Sequence, residues 1–125
     1  MALPDDEIRL VVPAAPEFAR LARLTVAGLA TRLGFTYDEV EDVRIAVGEA
    51  CSLLIENADR AGSIELLFRV RQTALEVTVT SSAGGDPRAA VEAGLSRQIL
   101  EAVVDSFDLT DDGVHMSKRR SPAAS

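Results

Sequence analysis

A chain of 125 residues fits one domain and can bury a real core. Its 47% apolar and 26% charged residues are those of a globular protein, and with 4% aromatics and no Trp that core must be aliphatic. A net charge of −7 argues against direct nucleic-acid binding, which needs a basic footprint, and no stretch approaches the ~18 apolar residues of a membrane span.

The opening MALPDDEIRL lacks the basic-then-apolar layout of a signal peptide, and the single cysteine, Cys51, cannot close an internal disulfide. Together these features predict a cytoplasmic protein. A single domain over residues 1–120 is expected, with a disordered tail at 121–125. Residues 7–12, EIRLVV, read as a first strand. PAAPEF breaks it, and Pro16 suits the first turn of a helix. From Pro16 to Leu33 a helical stripe runs through Phe18, Leu21, Ala22, Thr25, Val26, Leu29 and Leu33, with Arg20, Arg23 and Arg32 largely off it. Gly34 stops it.

Thr36 and Glu39 form a capping-box pattern, with Phe35 and Val40 spaced as a hydrophobic staple. Asp38, Glu39, Glu41 and Asp42 crowd the first turns, where negative charge suits the helix dipole. The spacing predicts a long helix from Tyr37 to about Asp59, with a stripe through Val40, Val43, Val47, Ala50, Leu54 and Ala58. Beyond Ile45 the opposite face also turns apolar, so the second half is expected to be buried on more than one side.

Two strands, 64–71 and 74–81, form a hairpin across RQT; residues 75–80 alternate in the half-buried period-2 pattern. SSAGGDPRAA (81–90) reads as a flexible loop. Residues 94–107 return to helical spacing, with Leu95, Ile99, Ala102 and Val103 on one side. FDLT and VHMSKRR then read as short strands joined by DDG. The order predicts an α+β fold, a two-layer sandwich with helices on one face of a mixed, mainly antiparallel sheet.

The long second helix holds polar groups in an apolar setting. Glu49, Leu53 and Asn57 are spaced four apart and share a face. A buried carboxylate is costly unless it is paired, protonated or facing a cavity; Arg44, Arg69 or another basic residue could pair Glu49, or it could be exposed at the edge of the stripe. Gly48 costs about 1 kcal/mol in a helix interior relative to Ala, so it is expected to let another backbone, or a ligand, come close. Cys51 reads as a small packed core residue, and His115 has no triad partner in the sequence.

The segment EDVRIAVGEACSLLIENA resembles the N-box helix of the GHKL (Bergerat-fold) ATP-binding domains, and is most similar to the serine-kinase anti-sigma factors of Gram-positive bacteria. The resemblance extends over most of the chain, through the hairpin, the following glycine loop, Gly94-Leu95 at the next helix and the closing strand. It implies a Bergerat-type fold, ATP and Mg²⁺ as cofactors, and serine-kinase activity with Glu49 as the catalytic base. Asn57, Gly85, Gly94 and Leu95 would belong to the nucleotide site. The family's metal-binding asparagine is replaced by Leu53, which cannot ligate a hard cation. Its adenine-binding aspartate is replaced by Ser81, the first glycine of that motif by Ala83, and the second Gly-Leu of the glycine box by Ser96-Arg97. Arg97 could still meet a phosphate at a helix start.

These departures imply weak or absent ATP binding, little kinase activity and no metal site. The resemblance then implies a regulator that binds a sigma factor, a STAS-type anti-anti-sigma protein, or both, often as a homodimer. Arg20, Arg23 and Arg32 would contact an acidic patch of the partner. The alternative is an active serine protein kinase that phosphorylates its antagonist; a further alternative is a degenerate domain that holds another ligand.

Overall fold

The computed structural model describes residues 6–122; whatever is expected of residues 1–5 and 123–125 lies outside them. The elements run β1 (Asp6–Pro13), α1 (Pro16–Arg32), α2 (Tyr37–Glu56), β2 (Ser63–Val70), β3 (Ala74–Ser81), α3 (Pro87–Ala93), α4 (Ser96–Val103), β4 (Ser106–Leu109) and β5 (Gly113–Arg119). The strands form one sheet in the order β1-β2-β3-β5-β4. All four pairings are antiparallel; the fold is α+β, and among the described residues the sheet holds no parallel pair, where a mixed sheet was expected.

Alternation decides which face of the sheet is covered. In β2, Ile64, Leu66, Phe68 and Val70 are buried, while Glu65, Leu67 and Arg69 on the other face are half-buried. Leu75, Val77, Val79, Val114 and Met116 continue the buried side. Phe68 is the one aromatic among the fully buried side chains, so this core is aliphatic in fact.

The two long helices meet through small residues. Ala19, Ala22, Val26 and Ala30 of α1 are buried and form the line that packs on α2. Leu21, expected on the core stripe, is exposed, as is Leu24. Each helical residue turns about 100°, so Leu21 lies beside the Ala22 line and not on it.

The capping box of α2 is formed as its residue types require. Thr36 Oγ1 accepts from Glu39 N (3.2 Å), and Glu39 Oε1 accepts from Thr36 N (2.7 Å). The other Glu39 oxygen accepts from Ser121 N (2.8 Å) and Ser121 Oγ (2.5 Å). Ser121, expected to start the tail, is therefore tied to α2. Arg120 adds to this strap by donating to the carbonyls of Leu33 and Gln72. Burial pushes the Glu39 carboxyl up, but the hydrogen bonds from Ser121 and Thr36 outweigh it and hold the pKa down at about 2.

Three element boundaries differ from expectation. Helix α2 ends at Glu56, three residues early, because Ala83 O takes Asp59 N (2.9 Å) and Arg60 N (3.1 Å) and draws the chain aside. The loop expected at 81–90 gives way to α3, capped by Asp86 Oδ1 on Arg88 N (2.9 Å), with Pro87 at its first turn. Helix α4 spans only Ser96–Val103, since Ser106 and Phe107 pair with Ser117 and Met116 in the sheet. Leu100 and Val103 are buried, whereas Leu95 and Ala102 are exposed and Ile99 is half-buried.

The strap gives stability a defined pH dependence. The folded-state pKa of Glu39 lies below that of the unfolded chain, so its contribution is complete above the ordinary carboxylate value of 4.5 and is lost as pH falls toward 2. Glu39→Gln is expected to cost about 1–2 kcal/mol near pH 7, and this deficit should shrink as pH falls through that window. Paired thermal melts between pH 7 and 2 check this.

Candidate functional site

Helix α2 carries the candidate residues in succession, and its surroundings treat each differently. Glu49 is half-buried, and its Oε2 accepts a 2.6 Å hydrogen bond from Ser96 Oγ. Ser96 is the first residue of α4 and is itself buried. The partner of Glu49 is thus a hydroxyl. Neither expected arginine reaches it: Arg44 pairs with Glu41 and Arg69 with Glu7. A short hydroxyl–carboxylate bond satisfies the charge at the start of α4.

One turn on, Leu53 is buried, at 5% exposed. Its carbonyl accepts both the backbone N–H (3.2 Å) and the side-chain Nδ2 (2.7 Å) of Asn57. The Asn57 amide group is thereby turned back onto its own helix as a C-terminal cap. With a rise of 1.5 Å per residue, Glu49 and Asn57 stand about 12 Å apart along the axis. Asn57 therefore joins a different group from Glu49.

That second group is built from backbone. The carbonyl of Asn57 lies against Gly85, where a Cβ would come within 1.7 Å of it; Gly85 also has φ +85°. Ser81 Oγ accepts from Ala83 N (3.0 Å), so its hydroxyl closes a local turn. Ala83 is fully buried and its carbonyl caps Asp59 and Arg60. Helix α3 packs on α2 and α4 and buries Pro87 and Val91. Of the nucleotide-site residues expected from sequence, Gly85 and Asn57 thus meet at one end. Gly94 and Leu95 stand at the other, next to Ser96, with Leu95 67% exposed.

These residues do not fit Mg²⁺ between the two groups. A hard cation demands oxygen ligands, and the position between Glu49 and Asn57 holds a buried isobutyl group. Arg97, a candidate phosphate contact, donates to Glu92 Oε1 (2.9 Å) and lies 5.4 Å from the Phe107 ring centroid, toward β4.

Sequence reasoning missed two features. What comes close at Gly48 is neither a backbone nor a ligand but the side chain of Arg23 of α1, whose Cδ would lie 2.9 Å from an added Cβ. Arg23 is half-buried and makes no hydrogen bond or ion pair among the described residues. It lines a groove between α1 and α2 with Pro16, Ala19, Ser52, Ile55 and Glu56. Helix α3 was the other; the Asp-Pro pair at 86–87 was its readable signal. Cys51 is buried beside this groove, and burial raises its thiol to about 12 against the pull of Arg23, so it stays protonated and unreactive. His115 Nδ1 lies 2.7 Å from Thr78 Oγ1 on the outer face of the sheet.

Residues 12–119 match the family model for the histidine kinase-like ATPase domain, and the chain belongs to that family. It is 45% identical over 76 residues to the serine-protein kinase RsbW of Halalkalibacterium halodurans, covering 60% of this chain and 47% of that protein. Against the serine-protein kinase RsbW of Bacillus subtilis the identity is 46% over 77 residues, covering 59% of this chain and 48% of that one. The chain spans about half the length of the curated relatives it matches. The crystal structure of the RsbU and RsbW domains of a Mycobacterium tuberculosis protein superposes with a TM-score of 0.71 at 17% identity, covering 96% of this chain and 34% of that one; this is a likeness of fold.

The two glycines test the packing in opposite directions. Gly85→Ala is expected to cost about 3 kcal/mol or more, through its positive φ and the Asn57 carbonyl. Gly28→Ala, in α1 with open space around it, is expected to add about 0.5–1 kcal/mol. Urea titration of both variants gives the comparison.

Proposed function

We propose that this histidine kinase-like ATPase domain works in the cytoplasm as an anti-sigma-factor-like regulator. In this reading it binds a sigma factor, a STAS-type anti-anti-sigma protein, or both, and takes Mg-ATP weakly or not at all. The observation that supports it best is the burial of Leu53 with the Asn57 amide bonded to its carbonyl. Phosphoryl transfer depends on positioning and on charge neutralisation by the metal. Leu53 offers no ligand, Ser81 spends its hydroxyl on Ala83, and Val91 is packed inside the fold. Restoring the site would need several coordinated changes.

The binding surface in this reading is α1 with its groove. Leu21 and Leu24 are exposed on it, Leu24 at 57%, and Arg20 and Arg32 are exposed nearby. Arg23, set across Gly48, offers a guanidinium with no internal partner among the described residues. Apolar residues interleaved with arginine suit a protein interface, and the free cation selects a partner with an acidic patch.

A second reading has a specific observation behind it. Glu49 already accepts a serine hydroxyl at 2.6 Å, the contact that a catalytic base needs, and the matched relatives are serine-protein kinases. In that reading Glu49 would assist the hydroxyl of an antagonist protein.

Calorimetry with Mg-ATP separates the readings. No saturable binding is expected below about 1 mM, and a dissociation constant near 10 μM or tighter would overturn the first reading. Leu53→Asn alone should leave binding unrestored. For the partner, Arg23→Glu is expected to abolish co-purification of a sigma factor or a STAS protein from native cells; retention at the wild-type level would exclude the α1 groove.

A further inference from the structure

We propose that the groove between α1 and α2 is a binding site for a small zwitterion of the amino-acid class. Pro16, Ala19 and Arg23 of α1 line it with Ser52, Ile55 and Glu56 of α2, around a free volume of about 350 Å³ that opens to solvent. Small-ligand sites start at about 300 Å³ and combine apolar walls with a few convergent polar groups. Here Pro16, Ala19 and Ile55 supply the walls, and Arg23, Ser52 and Glu56 supply the polar groups.

These three groups are unspent, which sets them apart from their neighbours. Among the half-buried polar side chains of the two helices, Thr25 donates to the Leu21 carbonyl (2.8 Å), Arg44 donates to Glu41 (2.8 Å), Asp42 accepts from Lys118 (3.0 Å) and Glu49 accepts from Ser96 (2.6 Å). Arg23 and Ser52 have no partner among the described residues, and both line this groove. A helical hydroxyl can donate back to the carbonyl four residues earlier. Thr25 does so, and Ser52 does not. Glu56, exposed at the end of α2, also lacks a partner among the described residues. Arg23 and Glu56 thus carry opposite charges along one groove without meeting as an ion pair.

Their order along α2 accounts for the gap and defines the ligand. Arg23 Nη1 lies 3.6 Å from where a Gly48 Cβ would stand. Ser52 follows Gly48 by four residues and Glu56 follows Ser52 by four, about 6 Å along the axis at each step. The Cα–Cβ bond of Glu56 tilts back toward Ser52, as in any α-helix. The groove therefore presents a guanidinium, a hydroxyl and a carboxylate in line. The first two donate to a ligand carboxylate, the guanidinium as a bidentate fork. The Glu56 carboxylate accepts from a ligand ammonium. One molecule with both ends satisfies all three groups, and its apolar body rests on Ile55, Ala19 and Pro16. A simple anion would meet repulsion from Glu56, and a simple cation repulsion from Arg23. A bound zwitterion also takes the guanidinium that an acidic partner patch would need; that competition rests on the regulatory reading, whereas the binding itself does not.

A heteronuclear NMR titration of the isotope-labelled full chain tests it, with glycine, leucine, glutamine and γ-aminobutyrate as probes. At least one should give saturable shifts centred on residues 16–23 and 52–56, with a dissociation constant of about 1 mM or tighter. Acetate and methylammonium, which carry one charge each, should bind at least about tenfold more weakly. Glu56→Gln and Arg23→Gln should each weaken the best probe at least about tenfold. Glu56 is exposed, so Glu56→Gln should keep the wild-type spectrum outside the groove and reads recognition apart from folding. No saturable shift from any zwitterion up to about 20 mM, acetate bound as tightly as the best probe, or an unchanged affinity in Glu56→Gln would each overturn the proposal. The titration needs no partner protein, so its failure and the failure of the regulatory reading are told apart.

Discussion

Everything about this molecule depends on how completely α2 is enclosed. It rests on the sheet, α1 lies along one side, and α3 and α4 close another. Its first turn, Ile45 and Glu56 reach solvent, but three polar groups along or at the end of the helix find partners within the fold. Glu49 takes the hydroxyl of Ser96, Asn57 its own helix, Glu39 the chain at Ser121. The three contacts place the start of α4, the end of α2 and the strand exit. The energetic rule that forbids stranded polar atoms is here also the rule that assembles the fold.

What could be read from sequence was local. The capping box needs only Thr36 and Glu39, the hairpin only two alternating runs and a turn, and both formed as expected. Boundaries set by distant partners were less readable. The end of α2 depends on Ala83, 24 residues beyond Asp59, and the end of α4 on pairing with β5. Leu21 was misplaced because the core line of α1 is drawn by alanines, whose weak hydropathy hides which side is closest to α2. The partner of Glu49, Ser96, stands 47 residues away on a different helix, and no spacing rule connects them. The family resemblance supplied what periodicity could not, the order of the elements as a whole, and the family match over residues 12–119 agrees with it.

The residues expected from sequence to depart from the family pattern have a structural account. Leu53, Ala83 and Val91 are all buried. A serine at 81 is short enough to hold Ala83 N within its own turn. Gly85 is kept because the Asn57 carbonyl leaves no room for a Cβ, a packing demand that holds without any ligand. The glycine at 85 therefore has a structural reason of its own.

The notch at Gly48 has a kinetic side as well. The chain carries a net charge of −7, so at long range it repels anything acidic. At physiological ionic strength that repulsion decays over a Debye length of about 8 Å. A guanidinium laid in a helix notch acts only within that distance. It would do little to draw an acidic surface in, but it would reward the one orientation that brings a carboxylate to it, so discrimination would reside in the lifetime of the encounter more than in its frequency.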